Sequence, residues 1–263
     1  MRSALGIEYD GSGFFGWQSQ VQTPTVQEAV EQALGAVADH EVKVVCAGRT
    51  DTGVHAKCQV VHFDTGAQRP ERSWILGANS NLPESVSVLW VKAVNDDFHA
   101  RFSAFERSYR YTICNRWIRP ALRRRQVTWC RKPLDAGRMH RAALALLGEH
   151  DFSAFRSSGC KARHAVREVT DIRVRREGDR VCLEISANGF LYHMVRNIAG
   201  SLMDIGAGER GEEWLGELLE QGDRTLAGVT AGAAGLCFVR VRYPDAFGLP
   251  DSLPAFSGRT GRQ

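Results

Sequence analysis

The alternation of strands and helices constrains the fold of this chain more than any other feature. A strand at Ala4–Tyr9 ends in a turn-forming run, and Thr25 then opens an amphipathic helix as the first residue of a capping box with Glu28. Strands are predicted again at Val42–Cys46 and Gln59–Asp64. A helix inserted between strands in this way has to bury its apolar side on a sheet. The pattern therefore indicates an α+β architecture.

The second half of the chain repeats the order of strand, helix and paired strands, although its sequence does not align with the first half. We therefore expect two similar α+β lobes, residues 1–105 and 106–245, followed by a loose tail at 246–263 that is rich in Pro, Gly, Ser and Arg. The predicted elements of the second half are a strand at Arg107–Cys114, a helix from Asp135, strands at Val166–Arg175 and Arg180–Ala187, helices near Gly189–Asp204 and Glu212–Gln221, and a strand at Cys237–Tyr243.

Composition excludes several classes of protein. No apolar run in the 263 residues approaches the roughly 18 that a membrane helix requires. The first residues lack the succession of charged, apolar and small residues that is typical of a signal peptide. The seven cysteines are an odd number without a CxxC pair, a pattern typical of reduced thiols. We expect a cytoplasmic protein that makes no membrane contact.

Positive charge is concentrated in one segment. Residues 101–141 contain twelve Lys and Arg and only two acids, whereas the rest of the chain carries more acids than bases. Most of the basic residues are Arg, and aromatic residues such as Trp117 and Trp129 lie among them. Arginine and aromatic side chains together favour a polyanion such as RNA as the partner. The alternative is an Arg-rich face that is only solvated.

Two patterns suggest a cofactor or a metal, but neither meets the requirements of such a site. Gly11–Gly16 matches the GxGxxG dinucleotide motif, yet Trp17–Pro24 separate it from the next helix, whose first turn would have to bind the pyrophosphate. His55 and His62 are seven residues apart, so a regular strand points them to opposite faces. We expect turn glycines, structural histidines, and neither a cofactor nor a metal.

The sharpest local motif is Gly48–Ala56, which contains Asp51. Small residues and glycines on both sides would leave one carboxylate at a tight, accessible turn, where Arg49 could keep it ionised or contact a phosphate. The alternative is an Asx-turn, because Asp-Thr-Gly is good turn chemistry. Glycosidase chemistry would require a second carboxylate, and none stands out.

Two further positions are ambiguous from the pattern alone. Arg196 falls on the side of its predicted helix opposite the apolar stripe, so it points to solvent or reaches across a cleft toward Asp51. Tyr109 and Tyr111 share one face of a predicted strand, which by itself is typical of packed tyrosines.

Taken together, these motifs resemble the tRNA pseudouridine synthase A family. The resemblance runs in order from about residue 5 to residue 243, nearly the whole chain. The matching stretches are Tyr9-Asp10-Gly11 with Gly16-Trp17-Gln18, Thr25-Val26-Gln27, Gly48–Asp51 with Gly53–Ala56, Leu82-Pro83, Phe98–Ala104, Arg107 with Tyr109 and Tyr111, Asp151–Phe155, Phe190–Ile198, and Gly235-Leu236.

The resemblance implies an isomerase that converts uridine to pseudouridine at positions 38–40, in the anticodon stem-loop of tRNA, after flipping the base. It implies two lobes sharing a mixed, mostly antiparallel sheet flanked by helices, an active-site cleft between the lobes, a homodimer, and no cofactor. The family's nucleophilic aspartate falls on Asp51 and its substrate-contacting tyrosine on Tyr109. Its two site arginines fall on Arg49 and Arg196.

The mechanism implied by the resemblance leaves alternatives open. Asp51 adds either to the base or to C1′ of the ribose, and Tyr109 either stacks on the flipped base or accepts the C5 proton. The competing function is a non-catalytic RNA-binding protein or RNA chaperone with the same fold. The presence of Asp51, Arg49, Tyr109 and Arg196 together favours the enzyme.

Overall fold

The computed structural model describes residues 1–250, which form ten strands and five α-helices. The strands are β1 (Arg2–Tyr9), β2 (Val44–Cys46), β3 (His55–Asp64), β4 (Val86–Val94), β5 (Glu106–Asn115), β6 (Thr128–Cys130), β7 (Gly148–Asp151), β8 (Val166–Glu177), β9 (Arg180–Ala187) and β10 (Leu236–Arg242). The helices are α1 (Val26–Ala38), α2 (Glu71–Asn81), α3 (Ala136–Ala143), α4 (Met194–Gly206) and α5 (Trp214–Gln221).

All ten strands belong to one mixed sheet. Its main order is β4-β1-β3-β10-β5-β9-β8-β7, with β2 paired to β3 and β6 paired to β5. The pairs β10–β3 and β5–β6 are parallel, and the other pairs are antiparallel. The predicted α+β class with a mixed sheet is confirmed. Because β10 lies between β3 and β5, the sheet runs without a break from the first half of the chain to the second. The division into two lobes stays a prediction.

Two helices begin where the sequence predicted. Thr25 precedes α1, and its hydroxyl accepts a hydrogen bond from the backbone N–H of Glu28 at 3.4 Å. Asp135 precedes α3, and its carboxylate accepts bonds from the N–H groups of Gly137 and Arg138 at 2.8 and 3.0 Å. Each cap satisfies N–H groups that the first turn of a helix leaves without a partner.

The helices cover the sheet in two groups. In the first half, α1 packs on α2, and Trp74 of α2 meets Phe63 of β3 with ring centroids 5.1 Å apart. In the second half, α3 packs on β8 and α4, and α5 packs on α3. Most of α4 is buried. Among residues 1–250, no helix combines the length and the apolar character needed to cross a membrane.

The start of α4 differs from the prediction. The helix begins at Met194 rather than near Gly189, because His193 adopts a left-handed backbone conformation with φ 61° and ψ 5° that a right-handed helix cannot include. Phe190, which the sequence placed on the apolar stripe of this helix, therefore lies in the preceding loop. Phe190, Tyr192 and His193 therefore precede the helix rather than belonging to it.

Some elements were not predicted, and part of the predicted tail is outside the described residues. Helix α2 starts after Pro70 with Glu71 in its first turn, but it has no side-chain cap and buries only Trp74 and Ala78, so its apolar stripe is weak. Strand β4 pairs along the length of β1. Of the predicted tail at 246–263, residues 251–263 lie outside the described residues, and the ring of Phe247 lies 5.1 Å from that of Phe98.

Candidate active site

Asp51 lies on the loop between β2 and β3, and neighbouring segments hold this loop on both sides. The hydroxyl of Tyr9 on β1 lies 2.7 Å from the hydroxyl of Thr50, and both groups are buried. The backbone N–H of Trp17 donates to the carbonyl of Thr50 at 2.9 Å, and that of Val54 donates to the carbonyl of Asp51 at 3.1 Å. The backbone on both sides of the carboxylate is therefore fixed before any substrate binds.

Two glycines of the GxGxxG motif lie directly against this loop. A Cβ on Gly11 would stand 2.0 Å from the carbonyl oxygen of Val54. A Cβ on Gly16 would stand 2.8 Å from the carbonyl oxygen of Thr50 and 3.1 Å from the carbonyl carbon of Asp51, and Gly16 has φ +90°. Real Cβ atoms do not approach backbone this closely, so both positions require glycine. The motif serves to seat the loop that carries Asp51.

The carboxylate of Asp51 meets two side chains from the second half of the chain through one oxygen. Arg196 Nη1 and His193 Nε2 each lie 3.4 Å from Asp51 Oδ2. Arg196 is held in turn because its Nε donates to the carbonyl of Ala231 at 2.8 Å. Within the described chain, Asp51 Oδ1 accepts no hydrogen bond, whereas Oδ2 accepts one from Arg196. The geometry matches the interpretation in which Arg196 reaches toward Asp51 rather than solvent.

Tyr109 lies on β5 beneath the same loop. Its ring meets those of Phe190 and Phe238 edge to face, with centroids 4.9 Å away in both cases, and its hydroxyl lies 3.9 Å from where a Cβ on Gly48 would stand. Burial, with the nearby Tyr9 and Asp51, raises the pKa of Tyr109 well above that of an ordinary tyrosine. At neutral pH the hydroxyl is therefore protonated, so it can donate a hydrogen bond and is a poor proton acceptor.

Arg49 precedes Asp51 by two positions and is exposed. No carboxylate in the described chain pairs with it. Arg49 and Arg101 both lie close enough to the buried thiol of Cys46 to oppose the rise that burial causes in its pKa. Two arginines from different segments thus lie near the base of the loop, where they can contact phosphates.

Arg107 is a half-buried cation that ties four backbone segments together. Its guanidinium donates to the carbonyls of Ala104 at 2.8 Å, Asn188 at 2.9 Å and Ala47 at 3.4 Å, and also to the carbonyl of Arg101. Burial lowers its pKa below the usual arginine value. The sequence motif containing Arg107 is explained by this structural role, because the residue joins the strand before Asp51 to the segments around it.

The basic loop between β5 and β6 is connected to the site by His55. His55 Nε2 lies 2.7 Å from the carbonyl oxygen of Arg125, and its Nδ1 accepts a bond from the N–H of Gly11 at 3.2 Å. Four arginines of this loop are exposed and form no ion pair with an acidic residue in the described part of the chain. They are Arg119, Arg123, Arg124 and Arg125. Unpaired exposed arginines of this kind suit a polyanion.

His62, the second histidine of the pair that suggested a metal site, also forms a hydrogen bond to the backbone. His62 Nδ1 accepts the backbone N–H of Ala100 at 3.1 Å, and its ring lies 4.8 Å from that of His99. His55 and His62 therefore each use ring nitrogens in hydrogen bonds to the backbone of other segments, as expected for structural histidines.

Sequence reasoning missed His193, the second partner of Asp51. Its position next to Tyr192, on whose ring it stacks at 3.8 Å, gave no signal of the contact with Asp51, which is 142 positions earlier in the chain. A polar residue at a helix start was the only available signal. The complete arrangement is a rigidly held carboxylate with one oxygen paired and the other open, a protonated tyrosine hydroxyl, and free arginines nearby. This arrangement suits nucleophilic attack by a carboxylate on a substrate that carries phosphates.

Comparison with known proteins is consistent with this chemistry. The family model described as tRNA pseudouridine synthase matches residues 6–103 and 142–244. The chain is 59% identical over 264 residues to tRNA pseudouridine synthase A of Methylococcus capsulatus, covering 98% of this chain and 97% of that protein. It is 57% identical over 251 residues to tRNA pseudouridine synthase A of Xylella fastidiosa, covering 95% and 98%. A weaker likeness, with 13% identity and a TM-score of 0.38, is to a chain in the crystal structure of a Cbf5-Nop10-Gar1 complex, covering 90% of this chain and 48% of that one.

Proposed function

Since the chain belongs to the tRNA pseudouridine synthase family, we propose that Asp51 is the nucleophile with which it acts, at positions 38–40 of the anticodon stem-loop. The enzyme isomerises uridine in tRNA to pseudouridine. In this reaction the N1–C1′ bond breaks, a C5–C1′ bond forms, C5 loses its proton to solvent and N1 gains one. The reaction consumes nothing else, so its atoms balance without a co-reactant, and we propose that no cofactor takes part.

The observation that carries the proposal is the unequal environment of the two Asp51 oxygens. Oδ2 lies 3.4 Å from Arg196 Nη1, whereas Oδ1 accepts no hydrogen bond from the described residues. The adjacent guanidinium holds Oδ2 in place, and a carboxylate in its ionised form is a nucleophile. Oδ1 is then the atom that forms a bond to the substrate, either to C1′ as uracil leaves or to the base. The geometry of the protein supports both forms of attack equally.

Tyr109 is proposed to contact the flipped base through a protonated hydroxyl or its ring. Of the two roles that the sequence left open, the raised pKa favours base contact over acceptance of the C5 proton. The pairing of the strands places Tyr109 near the Asp51 loop. Tyr109 on β5 pairs with Phe238 on β10, and β10 also pairs with β3, the strand that follows this loop. Tyr109 and Asp51 thus reach the same region from opposite ends of a short stretch of sheet.

Arg49 is proposed to bind the phosphate of the flipped nucleotide or to fill the space that the base leaves. Extruding a base costs a few kcal/mol, which phosphate contacts must offset. The basic loop at 116–126 supplies further contacts in this proposal, because its exposed arginines are unpaired in the described chain and the carbonyl of Arg125 is bonded to His55 at the start of β3. The proposed lobes, 1–105 and 106–245, would place Asp51 on one side of the cleft and Tyr109 and Arg196 on the other.

The assembly and the site of action in the cell belong to the proposal as well. The resemblance to the family supports a homodimer in the cytoplasm, where a tRNA substrate is available. Light scattering after size-exclusion chromatography tests the dimer directly: the 29.1 kDa chain should elute at about twice this mass. A single-chain mass at micromolar concentration would contradict it.

The position of the modified uridine can be tested with three tRNA transcripts. Each transcript keeps one uridine among positions 38, 39 and 40, has cytidine at the other two, and retains every uridine outside the anticodon arm. Pseudouridine is mapped by carbodiimide modification and primer extension. The proposal predicts conversion at the retained position of each transcript and at no uridine elsewhere. Conversion confined to another arm would contradict the proposed position while leaving Asp51 as a separate question.

A non-catalytic RNA chaperone is the second function considered. The same transcripts distinguish it, because a chaperone would bind them and accelerate their folding without forming pseudouridine. The retention of Asp51 with its Arg196 partner is the observation that favours the enzyme.

A further inference from the structure

We propose that His193 is a positioning residue for Asp51, presenting a single N–H from Nε2 to Oδ2, and that a chain of hydrogen bonds starting at Arg224 holds the imidazole in this tautomer. The inference rests on the proposed role of Asp51 as the nucleophile. It concerns how that carboxylate is oriented rather than the chemistry itself.

The chain starts with a group whose hydrogen-bonding role is unambiguous. A guanidinium can only donate, and Arg224 Nη2 lies 3.0 Å from the side-chain amide of Asn197, so the atom that faces it must be the oxygen Oδ1. The hydroxyl of Thr230 confirms this orientation, since it accepts from Arg224 at 2.9 Å and can therefore donate to Asn197 Oδ1 at 2.6 Å. Arg224 thus determines which way the Asn197 amide points.

The orientation of Asn197 determines the direction of the next two hydrogen bonds. Its Nδ2 donates to the carbonyl of Phe155 at 2.8 Å and to the hydroxyl of Ser157 at 3.2 Å, and the Asn197 side chain is fully buried. Ser157 Oγ accepts from Asn197, and His193 Nδ1, 3.2 Å away, is the one acceptor among the described residues that lies within reach of the Ser157 hydroxyl proton. Nδ1 is then an acceptor, and a neutral imidazole with an accepting Nδ1 carries its proton on Nε2. Nε2 is the atom that faces Asp51.

The backbone of His193 has an uncommon conformation. With φ 61° and ψ 5°, His193 occupies the left-handed region immediately before α4, a conformation that is uncommon for residues other than glycine, although Asn, Asp and His are enriched in it. The conformation is maintained because the N–H of Asn197 donates to the carbonyl of His193 at 2.9 Å, and that of Ser157 donates to the carbonyl of Tyr192 at 3.1 Å. The residue in this left-handed conformation is the one whose side chain contacts Asp51.

The charges around His193 favour the neutral ring. Burial lowers the pKa of His193 below its ordinary value, Arg196 and Arg224 lower it further, and Asp51 acts in the opposite direction. Nε2 and Oδ2 lie 3.4 Å apart, an ion-pair distance that does not meet hydrogen-bond geometry in this structure, and catalytic hydrogen bonds that are long or poorly aligned in a free enzyme tighten when substrate binds. With Arg196 and His193 both on Oδ2, the second oxygen stays directed at the substrate.

Two conservative variants separate positioning from folding. His193→Gln places an amide nitrogen at the distance from Cα that Nε2 occupies, whereas His193→Asn reaches only as far as Nδ1. Asparagine is among the residues enriched in the left-handed region, and Gln22 already adopts this conformation in this chain with φ 62°. We expect His193→Asn to lower kcat about 10- to 100-fold, the span that one hydrogen bond to a charged group is worth, with KM for tRNA unchanged. His193→Gln should stay within about 3-fold of the native kcat, because it keeps the donor.

The tautomer itself can be measured without turnover. In the full-length protein labelled with ¹⁵N-histidine, the two ring nitrogens of His193 have distinct shifts that identify the protonated one. The native protein should show Nε2–H, and Ser157→Ala should shift the ring toward a mixture of tautomers. A native Nδ1–H tautomer, or equal kcat values for the Asn and Gln variants, would overturn the inference. These outcomes are independent of Asp51: a fully active Asp51→Asn variant would refute the nucleophile assignment instead.

Discussion

The loop that carries Asp51 should be most sensitive to substitution at Gly16, because Gly16→Ala adds a single atom where backbone already lies. The new Cβ would stand 2.8 Å from the carbonyl oxygen of Thr50, 3.1 Å from the carbonyl carbon of Asp51 and 3.2 Å from the N–H nitrogen of Thr52. Ordinary contacts to Cβ begin at 3.4 Å. The loop must therefore move by roughly 0.6 Å, and the displaced atoms belong to Asp51 and the residues on either side of it.

Both stability and rate follow from this displacement. A non-glycine residue at φ +90° costs about 1–3 kcal/mol, which corresponds to a fall in Tm of roughly 3–10 °C for a chain of this size. A shift of about 1 Å in a catalytic group can lower the rate about 100-fold, so a shift of about 0.6 Å should lower kcat by about 10-fold or more. The variant should still bind tRNA, because the basic loop at 116–126 is not touched.

The assay is tritium release from tRNA labelled at uridine C5, measured at saturating tRNA and below the lowered Tm, alongside calorimetry. Gly13→Ala is the matched control: it lies in the same GxGxxG motif, but a Cβ there would meet no atom within 4 Å. The control should keep its Tm within about 1–2 °C and its kcat within about 2-fold of native. Equal effects of the two substitutions, or a native kcat for Gly16→Ala, would refute the reasoning that this glycine seats the nucleophile's loop.

Three further predictions concern individual side chains. Arg196→Met should lower kcat about 100-fold or more, because it leaves a half-buried carboxylate without its cation, whereas a fall of less than about 3-fold in single-turnover assays would contradict the pairing. Arg49→Ala should lower turnover of folded tRNA while leaving the Tm unchanged, since Arg49 is exposed and makes no ion pair in the described chain; a lower Tm with native turnover would assign it a structural role instead. Burial, with Arg2 and His99 nearby, lowers the pKa of His62 from about 6.5 to about 4. The unfolded chain therefore takes up this proton first, and the free energy of unfolding should decrease by up to about 3 kcal/mol as the pH falls from 6.5 to 4. His62→Asn keeps the acceptor for the N–H of Ala100 and should flatten this decrease in urea titrations; an unchanged slope would show that another group titrates.

The predicted elements succeeded where local signals were strong. The caps at Thr25 and Asp135 defined two helix starts, and the turn at Glu177–Asp179 defined the hairpin of β8 and β9. Helix α2 has no side-chain cap and only two buried positions, so it shows no capping box and only a weak apolar stripe. The start of α4 was predicted several residues early because the left-handed conformation of His193 depends on hydrogen bonds to Ser157 and Asn197, which periodicity does not report.

Asp51 and Arg196, which the sequence singled out, lie together in the structure, but their geometry was not predictable. Asp51 stood out because it lies in a run of turn residues, and Arg196 because it lies opposite an apolar stripe. The distance between Asp51 and Arg196 depends on the topology of the sheet. The two halves of the chain meet only because β10 pairs with both β3 and β5. The chain of hydrogen bonds from Arg224 to His193 could not be predicted for the same reason. Its bonds join residues far apart in the sequence: Ser157 and His193 are 36 positions apart, and Asn197 and Arg224 are 27 positions apart. The glycines at 11 and 16 had a function that only the neighbouring loop reveals.

The claim that Asp51 is the nucleophile has the most direct test. Asp51→Asn is isosteric with the native residue and keeps a hydrogen-bond acceptor for Arg196, so the fold and tRNA binding should survive. Tritium release from C5-labelled tRNA is compared for the native protein and the variant, with tRNA affinity measured in parallel by filter binding. The account predicts release by the native protein, no release above background by the variant, and affinities within about 3-fold of each other, as expected when only a transition-state interaction is lost. Release by Asp51→Asn at a rate near the native one would contradict it.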